Sequence, residues 1–244
     1  LYTLGGLALL VWAMVAIDWL PARIALVLAC ALAWAQVGFL GHDLGHRQVF
    51  NKTWINDAWG LVTGNVVLGM SIGWWRDKHN AHHANPNVAD AAPDMDIPVL
   101  AFTEDDAQTR RGLARKILPF QAALFIPFVS LSSIDFQLSS IRFQFSGSAR
   151  NLRRRILELG LLLSHKVLYF GGLLWIFGLW GLAIGAAHQA ILGIVLGTAF
   201  APNHKGMPMV DDTIKDDFLR KQVLTARNVR GPKLLINFVD WWYG

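Results

Sequence analysis

The apolar positions of this chain fall in long blocks, not in alternation. Leu4 to Ile17 is almost wholly apolar, a short polar turn holds Asp18, Pro21 and Arg23, and Ile24 to Leu40 is apolar again. A helix needs about 20 apolar residues to cross a bilayer, so this pair predicts a helical hairpin. Leu157 to Trp180 and Leu182 to Phe200 make a second pair, joined by Gly181 with no charge nearby, as an external turn would be.

Two further stretches are apolar but interrupted. Trp59 to Trp75 carries Thr63, Asn65, Ser71 and several glycines, while Ile117 to Ile134 is broken by Pro119 and Pro127. Arg110, Arg111, Arg115 and Lys116 precede the second, and Arg142, Arg150, Arg153, Arg154 and Arg155 follow it. Basic residues collect on the cytoplasmic side, so both ends belong there, and the segment is expected to lie in the membrane plane or to re-enter. Trp59 to Trp75 is expected to be half-sunk in the same way. The fold class is therefore all-α: a polytopic membrane protein with four transmembrane helices, one or two in-plane or re-entrant helices, and a cytoplasmic His-rich cap. Gly41 to Ile156 and the tail after Phe200, with Lys205, Lys215, Arg220, Lys221, Arg227, Arg230 and Lys233, fall on the same side.

Composition agrees. Of 244 residues, 54% are hydrophobic and 16% charged, and the mean hydropathy is +0.37; soluble domains hold about a quarter charged residues. Eleven Trp and fourteen Phe suit bilayer edges. The net charge of +5 sits beside apolar runs, which marks a membrane rim and gives no nucleic-acid partner. The single cysteine, Cys30, excludes a disulfide framework, a CxxC zinc ribbon and an iron–sulfur cluster. The chain opens on Leu1 and closes on Trp241-Trp242-Tyr243-Gly244, so residues 1–244 are expected to form one membrane-embedded domain truncated at both ends.

The histidines carry the chemistry. His42-Asp43-Leu44-Gly45-His46 stands where the second membrane helix ends, and its i, i+4 spacing puts both imidazoles on one helical face. His79-Asn80-Ala81-His82-His83 combines i, i+3 and i, i+4 spacings, so three rings share one side. His204, in Pro202-Asn203-His204-Lys205-Gly206, follows the fourth membrane helix. Imidazole suits iron, zinc, copper and nickel, and six histidines exceed the three or four ligands of one zinc. His42, His46, His79, His82, His83 and His204 are thus the candidate metal ligands, for two metals or for one with supporting groups. Asp43 has two open readings, an acceptor that orients an imidazole or a helix-end acid. His165 and His188, inside apolar runs, are expected to make interhelical hydrogen bonds. Trp74 and Trp75 read as interfacial aromatics, and Arg76 and Lys78 as rim charge; Asp94 and Asp96 stay outside the ligand set.

The HDLGH segment after a membrane helix, HNAHH further on, and Asn203-His204-Lys205-Gly206 after two more helices resemble the integral-membrane fatty acid desaturases, nearest to the actinobacterial acyl-lipid or acyl-CoA type. Asn85-Pro86-Asn87, Pro93-Asp94-Met95-Asp96 and Thr225-Ala226-Arg227-Asn228-Val229 add to the resemblance, which covers essentially the whole chain. It implies O2-dependent desaturation of a fatty acyl chain by two iron ions, a di-iron centre held by more histidines than the six here. It also implies a third box, Q-x-x-H-H, soon after an aromatic and glycine stretch like Trp241 to Gly244, so the centre is expected to be incomplete within these residues. The implied partners are a fatty acyl substrate, membrane lipid and a separate electron donor, a ferredoxin or flavin reductase, since the sequence has neither G-x-G-x-x-G nor a haem-binding HPGG. The implied location is a bacterial inner membrane with the metal on the cytoplasmic face. The alternatives are a hydroxylase or ketolase of the same histidine-box superfamily, or a haem-binding electron-transfer protein using histidines on facing helices.

Overall fold

The computed structural model describes residues 2–88, 100–148, 151–204, 206–211, 213–214, 216–228, 232–234 and 237. Asp94, Asp96, Lys205, Lys215, Arg230 and Trp241 to Gly244 lie outside the described residues. The described elements are helical throughout, apart from one isolated parallel bridge between Val88 and Val210.

Helices α1 (Tyr2–Ala16) and α2 (Leu20–Gly45) form the first hairpin. Arg23 closes its turn, donating from Nε to the carbonyls of Ile17 (2.6 Å) and Met14 (3.2 Å) and pairing with Asp18 at 2.9 Å. A cation there meets the carbonyls that a helix end leaves without partners. The second hairpin is α9 (Leu152–Phe177) and α10 (Trp180–His204). Its hinge is Gly178 and not Gly181: Gly178 takes φ 58°, ψ −145°, a conformation only glycine adopts readily. Gly181 already lies in α10, where a Cβ would stand 2.5 Å from the Leu173 carbonyl oxygen.

Among the described residues, four helical stretches are long and apolar enough to cross a membrane: Leu20–Gly45, Gly112–Ser130, Leu152–Phe177 and Trp180–Phe200. Three match the expected crossings. The other expected crossing, α1, has 15 residues, and its place among the long stretches goes to Gly112–Ser130.

Packing shows how that stretch runs. After the short α5 (Glu104–Thr109), it comprises α6 (Gly112–Ile117), a 3-10 turn at Leu118–Phe120 that holds Pro119, and α7 (Gln121–Ser130). Glycines in α10 let α7 approach closely: a Cβ on Gly197 would lie 2.4 Å from Val129, and one on Gly193 would lie 2.5 Å from the Ser130 carbonyl. In α8 (Ser132–Gln144), Ser133 donates to Gln189 at 2.6 Å. As the numbers rise along α7 they fall along α10, so α7 runs away from the His204 end. The chain then turns, and α8 runs back: Gln137 meets Lys166 in the middle of α9, whereas Gln144 reaches Ser71, a partner of Glu158 nearer the start of α9. Residues 112–144 therefore form a re-entrant hairpin, in keeping with the charge at both its ends.

A second re-entrant hairpin joins α3 (Thr53–Gly60) and a π-helical segment (Leu61–Leu68) to α4 (Ile72–Ala84). Helix ends buried this deep must find partners for their polar groups inside the protein. Gly69, at φ +70°, ends the descending arm, and the amide of Met70 turns back to the Gly64 carbonyl (2.8 Å). The carbonyls of Val66, Val67 and Leu68 then accept from His165 Nδ1 (2.9 Å), Trp34 Nε1 (2.7 Å) and Gln137 Nε2 (3.2 Å). On the ascending arm, the amides of Ser71, Ile72, Gly73 and Trp74 reach Ser140 Oγ, Asn65 Oδ1, Glu158 Oε2 and Ser71 Oγ at 2.9–3.3 Å. Glu158 is only 1% exposed. It also accepts from Ser71, from Asn65 (3.2 Å) and from Arg154 (2.6 Å), and a carboxylate is well placed at the positive end of α4.

Helix α8 is thus inside out. Its buried residues are Ser133, Gln137, Ser140 and Gln144, one stripe at helical spacing, while Leu138 and Ile134 face outward. Apolar packing lies elsewhere: Ala35 against Leu192 and Leu196, Met14 against Val27 and Cys30, and Leu7 against Val37 and Leu68.

Candidate metal centre

The last turn of α2 carries His42 and its C-cap is His46, and α4 carries His79, His82 and His83. The two helices meet at the same end because α4 starts from a break pinned by Glu158 and ends beside α2. Arg76 joins them. It donates from Nε to the Gly45 carbonyl (3.1 Å), from Nη2 to the Leu44 carbonyl (3.4 Å), and pairs with Asp57 of α3 at 2.6 Å. Arg47, whose backbone is left-handed (φ 61°), reaches Asp57 from the other side at 3.3 Å. Burial alone would raise the Asp57 carboxyl, but the hydrogen bond and charge of Arg76, then those of Arg47, hold it below the usual range. Arg76 is therefore a clamp between the two His clusters and not rim charge.

Four rings converge. One side-chain ligand atom each from His42, His46, His79 and His83 lie within 4.8 Å of one another. His79 Nε2 stands 3.0 Å from His46 Nε2 and 2.9 Å from His83 Nε2. Two adjacent nitrogens bound to one ion at about 2.0–2.1 Å would stand about 2.8–3.4 Å apart, so these two pairs fit ligation. His82 turns to His204 instead, with ring centroids 4.8 Å apart, and stays 5.6 Å from His83 and 6.0 Å from His79. The six candidates thus fall into a group of four and an adjoining pair.

Ring orientation is set from behind. Asp43 Oδ1 lies 3.0 Å from His42 Nδ1, which resolves its two readings in favour of an orienting acceptor. His204 Nδ1 donates to the Thr225 carbonyl at 2.9 Å, leaving Nε2 for a ligand. Trp75 stacks on His79 (4.3 Å) and meets His42 and His46 edge-on, whereas Trp74 faces Phe136. Lys78 lies over the rings of Trp74 and Phe136. Burial, then the neighbouring histidines His83, His42, His46 and His82, pushes His79 down to about 3. His46 and His83 are lowered in the same sense, with burial first in each. Neutral imidazole is the form a metal binds.

Beneath Trp75 lies a cavity of about 20 Å³ lined by Gly41, Gly64, Leu68, Met70, Ile72 and Trp75. His165 and His188 are held structurally: His165 caps Val66, and His188 Nδ1 lies 2.9 Å from the Tyr169 hydroxyl. His165 also packs on Gly69 so closely that a Cβ there would be 2.4 Å away.

Sequence reasoning missed Asp57, Glu158 and the polar stripe of α8, and took Arg76 for rim charge. Two of these carry a visible signal. Glu158 is a lone acid near the start of an apolar run, four residues after Arg154, and the α8 stripe recurs at steps of four, three and four.

Comparison with known proteins gives a consistent result. A family model described as fatty acid desaturase matches residues 17–244. An acyl-lipid (9-3)-desaturase of Physcomitrium patens is 32% identical over 222 residues, covering 88% of this chain and 41% of that protein. A Delta(6)-fatty-acid desaturase of Caenorhabditis elegans is 28% identical over 228 residues, covering 88% and 50%. A Delta(8)-fatty-acid desaturase of Euglena gracilis is 43% identical over 95 residues, covering 38% and 22%. The chain thus spans half or less of the length of these curated relatives.

Proposed function

The chain belongs to the fatty acid desaturase family, and on that footing we propose that residues 1–244 form a membrane-embedded domain of an enzyme that desaturates a fatty acyl chain, acyl-CoA or acyl-lipid, with O2. The observation that carries this reading is the convergence of His42, His46, His79 and His83, with His82 and His204 beside them. All six sit at one end of the helices, the end we take as cytoplasmic because Arg111, Arg115, Lys116 and Arg153 lie there. Electrons are supplied from outside residues 1–244.

The donor set fits iron: imidazoles, two pairs of ring nitrogens about one coordination edge apart, and acceptors behind two of the rings. His42, His46, His79 and His83 would hold one ion, and His82 and His204 would contribute to a second. Bound iron supplies the redox chemistry that lets O2 take two hydrogens from adjacent, unactivated methylenes. The protein does the rest. Asp43 and the Thr225 carbonyl keep the Nδ1 protons of His42 and His204 in place, so Nε2 presents its lone pair. Arg76 holds the two helices in register. Trp75 shields the four-ring group.

The experiment is lipid analysis after expression of the full-length parent protein. New double bonds that disappear in His79→Ala and His83→Ala are the expected result. An unchanged acyl profile counts against the reading, and a hydroxylated product transfers it to the hydroxylase alternative. A haem centre on His165 and His188 is disfavoured by the tight packing of His165 on Gly69.

A further inference from the structure

The turn after α4 holds an asparagine in an unusual setting. Asn87 is 4% exposed and its backbone is left-handed, at φ 52°. Its side-chain amide nitrogen donates toward three carbonyls at and just beyond the end of α10: His204 (3.0 Å), Met207 (3.3 Å) and Pro208 (3.2 Å). Its own carbonyl accepts from the amide of Val210 (2.9 Å), and Val88 bridges Val210 in parallel. A helix C-terminus leaves carbonyls short of partners, and here the His204 carbonyl, which also accepts from the Met207 amide (3.1 Å), takes a second bond from the turn that follows the second His cluster.

Other bonds close the same seam. Gln222 donates to the His83 carbonyl (2.8 Å), and the Arg227 amide donates to the Asn203 carbonyl (3.1 Å). The imidazole of His204 is fixed at Thr225, but that bond sets only the rotation of the ring. The distance between the backbones that bear His82 and His204 is set by the turn at Asn87, which follows His82 by five positions and bonds the His204 carbonyl directly.

We propose that Asn87 is a positioning residue: it docks the end of α10 against the second His cluster and so brings His204 to His82 as a metal-holding pair. The inference rests on the reading that these two histidines hold a metal. Asparagine suits the place twice over, since it tolerates the left-handed backbone better than other residues with side chains and supplies two N–H donors. The two contributions are separable, because glycine keeps the backbone and loses the amide.

The test uses the full-length parent protein in detergent, stripped with a chelator and titrated with cobalt(II) as a coloured stand-in for iron(II). The wild type should show two spectral steps, a tighter one from the group of four and a weaker one that is lost in His204→Ala. Asn87→Gly should weaken the second step by about 10–100-fold, as loss of a supporting contact does, leave the first unchanged, and add nothing in the His204→Ala background. Should Asn87→Gly fail to fold, Asn87→Asp carries the same test, since it has the same shape without the donors. An unchanged second step in the Asn87 variants overturns the proposal while the metal reading stands. A second step that survives His204→Ala overturns both.

Discussion

Arg76 Nη2 lies 2.6 Å from Asp57 Oδ1, and the same guanidinium reaches the Leu44 and Gly45 carbonyls between His42 and His46. One side chain of the helix that carries the second His cluster thus closes the helix end that carries the first. Arg76→Ala leaves Asp57 with Arg47 alone and two helix-end carbonyls without this donor. The expected loss is about 10–100-fold in metal affinity, with Arg76→Lys intermediate because it keeps charge without the fork. Iron per chain after dialysis at graded metal concentration measures it.

Acidification should release the metal and loosen the site. His79, His46 and His83 have folded pKa values below the usual 6.5, with His79 near 3. Above 6.5 the rings are neutral folded or unfolded, so their contribution is fully present. As pH falls through 6.5 the unfolded chain takes up protons that the folded site refuses, and stability declines toward the folded values. Thermal midpoints of the metal-free chain should be flat above pH 7 and fall between about pH 6.5 and 4. In His79→Ala the slope should be shallower; an identical slope would refute the assignment.

Glu158 should matter through its partners. Glu158→Ala leaves Ser71, Asn65 and the Gly73 amide short of a buried acceptor, a loss of about 1–3 kcal/mol, while Arg154, 37% exposed, turns to solvent. Glu158→Gln keeps an acceptor oxygen and should lose less. Unfolding in a denaturing detergent titration ranks the three proteins, and metal affinity should fall in the same order because α4 starts at this carboxylate.

Gly69→Ala should be among the more damaging small changes. The left-handed backbone costs a side chain about 1–2 kcal/mol, and the new Cβ would meet the His165 ring at 2.4 Å. Adding His165→Ala to Gly69→Ala relieves the clash but strips Val66 of its donor. The double variant should therefore recover only part of the loss in thermal stability.

Much of this architecture is legible along the chain. The runs Ile24 to Leu40, Leu157 to Trp180 and Leu182 to Phe200 announce helices because a bilayer demands length and apolarity together. The charges around Ile117 to Ile134 announce its return to the side it came from. HDLGH and HNAHH announce ring faces, because helical spacing is a local property. Gly178 replaced Gly181 as the hinge because a glycine can serve either an unusual φ or a close approach, and the sequence does not say which.

What no run of residues specifies is which groups meet. The choice of His82 for His204, and of His79 and His83 for His42 and His46, follows from the rotation of α4 about its axis. That rotation is set by the break at Gly69 to Ser71 and its partners on α2, α8 and α9. Inside a membrane, polar side chains and buried helix ends must satisfy one another across long separations. The sequence by itself determined the helices and the chemical character of their ends; tertiary structure decided the pairing, since a hydrogen-bond partner is selected by position in space and not by distance along the chain.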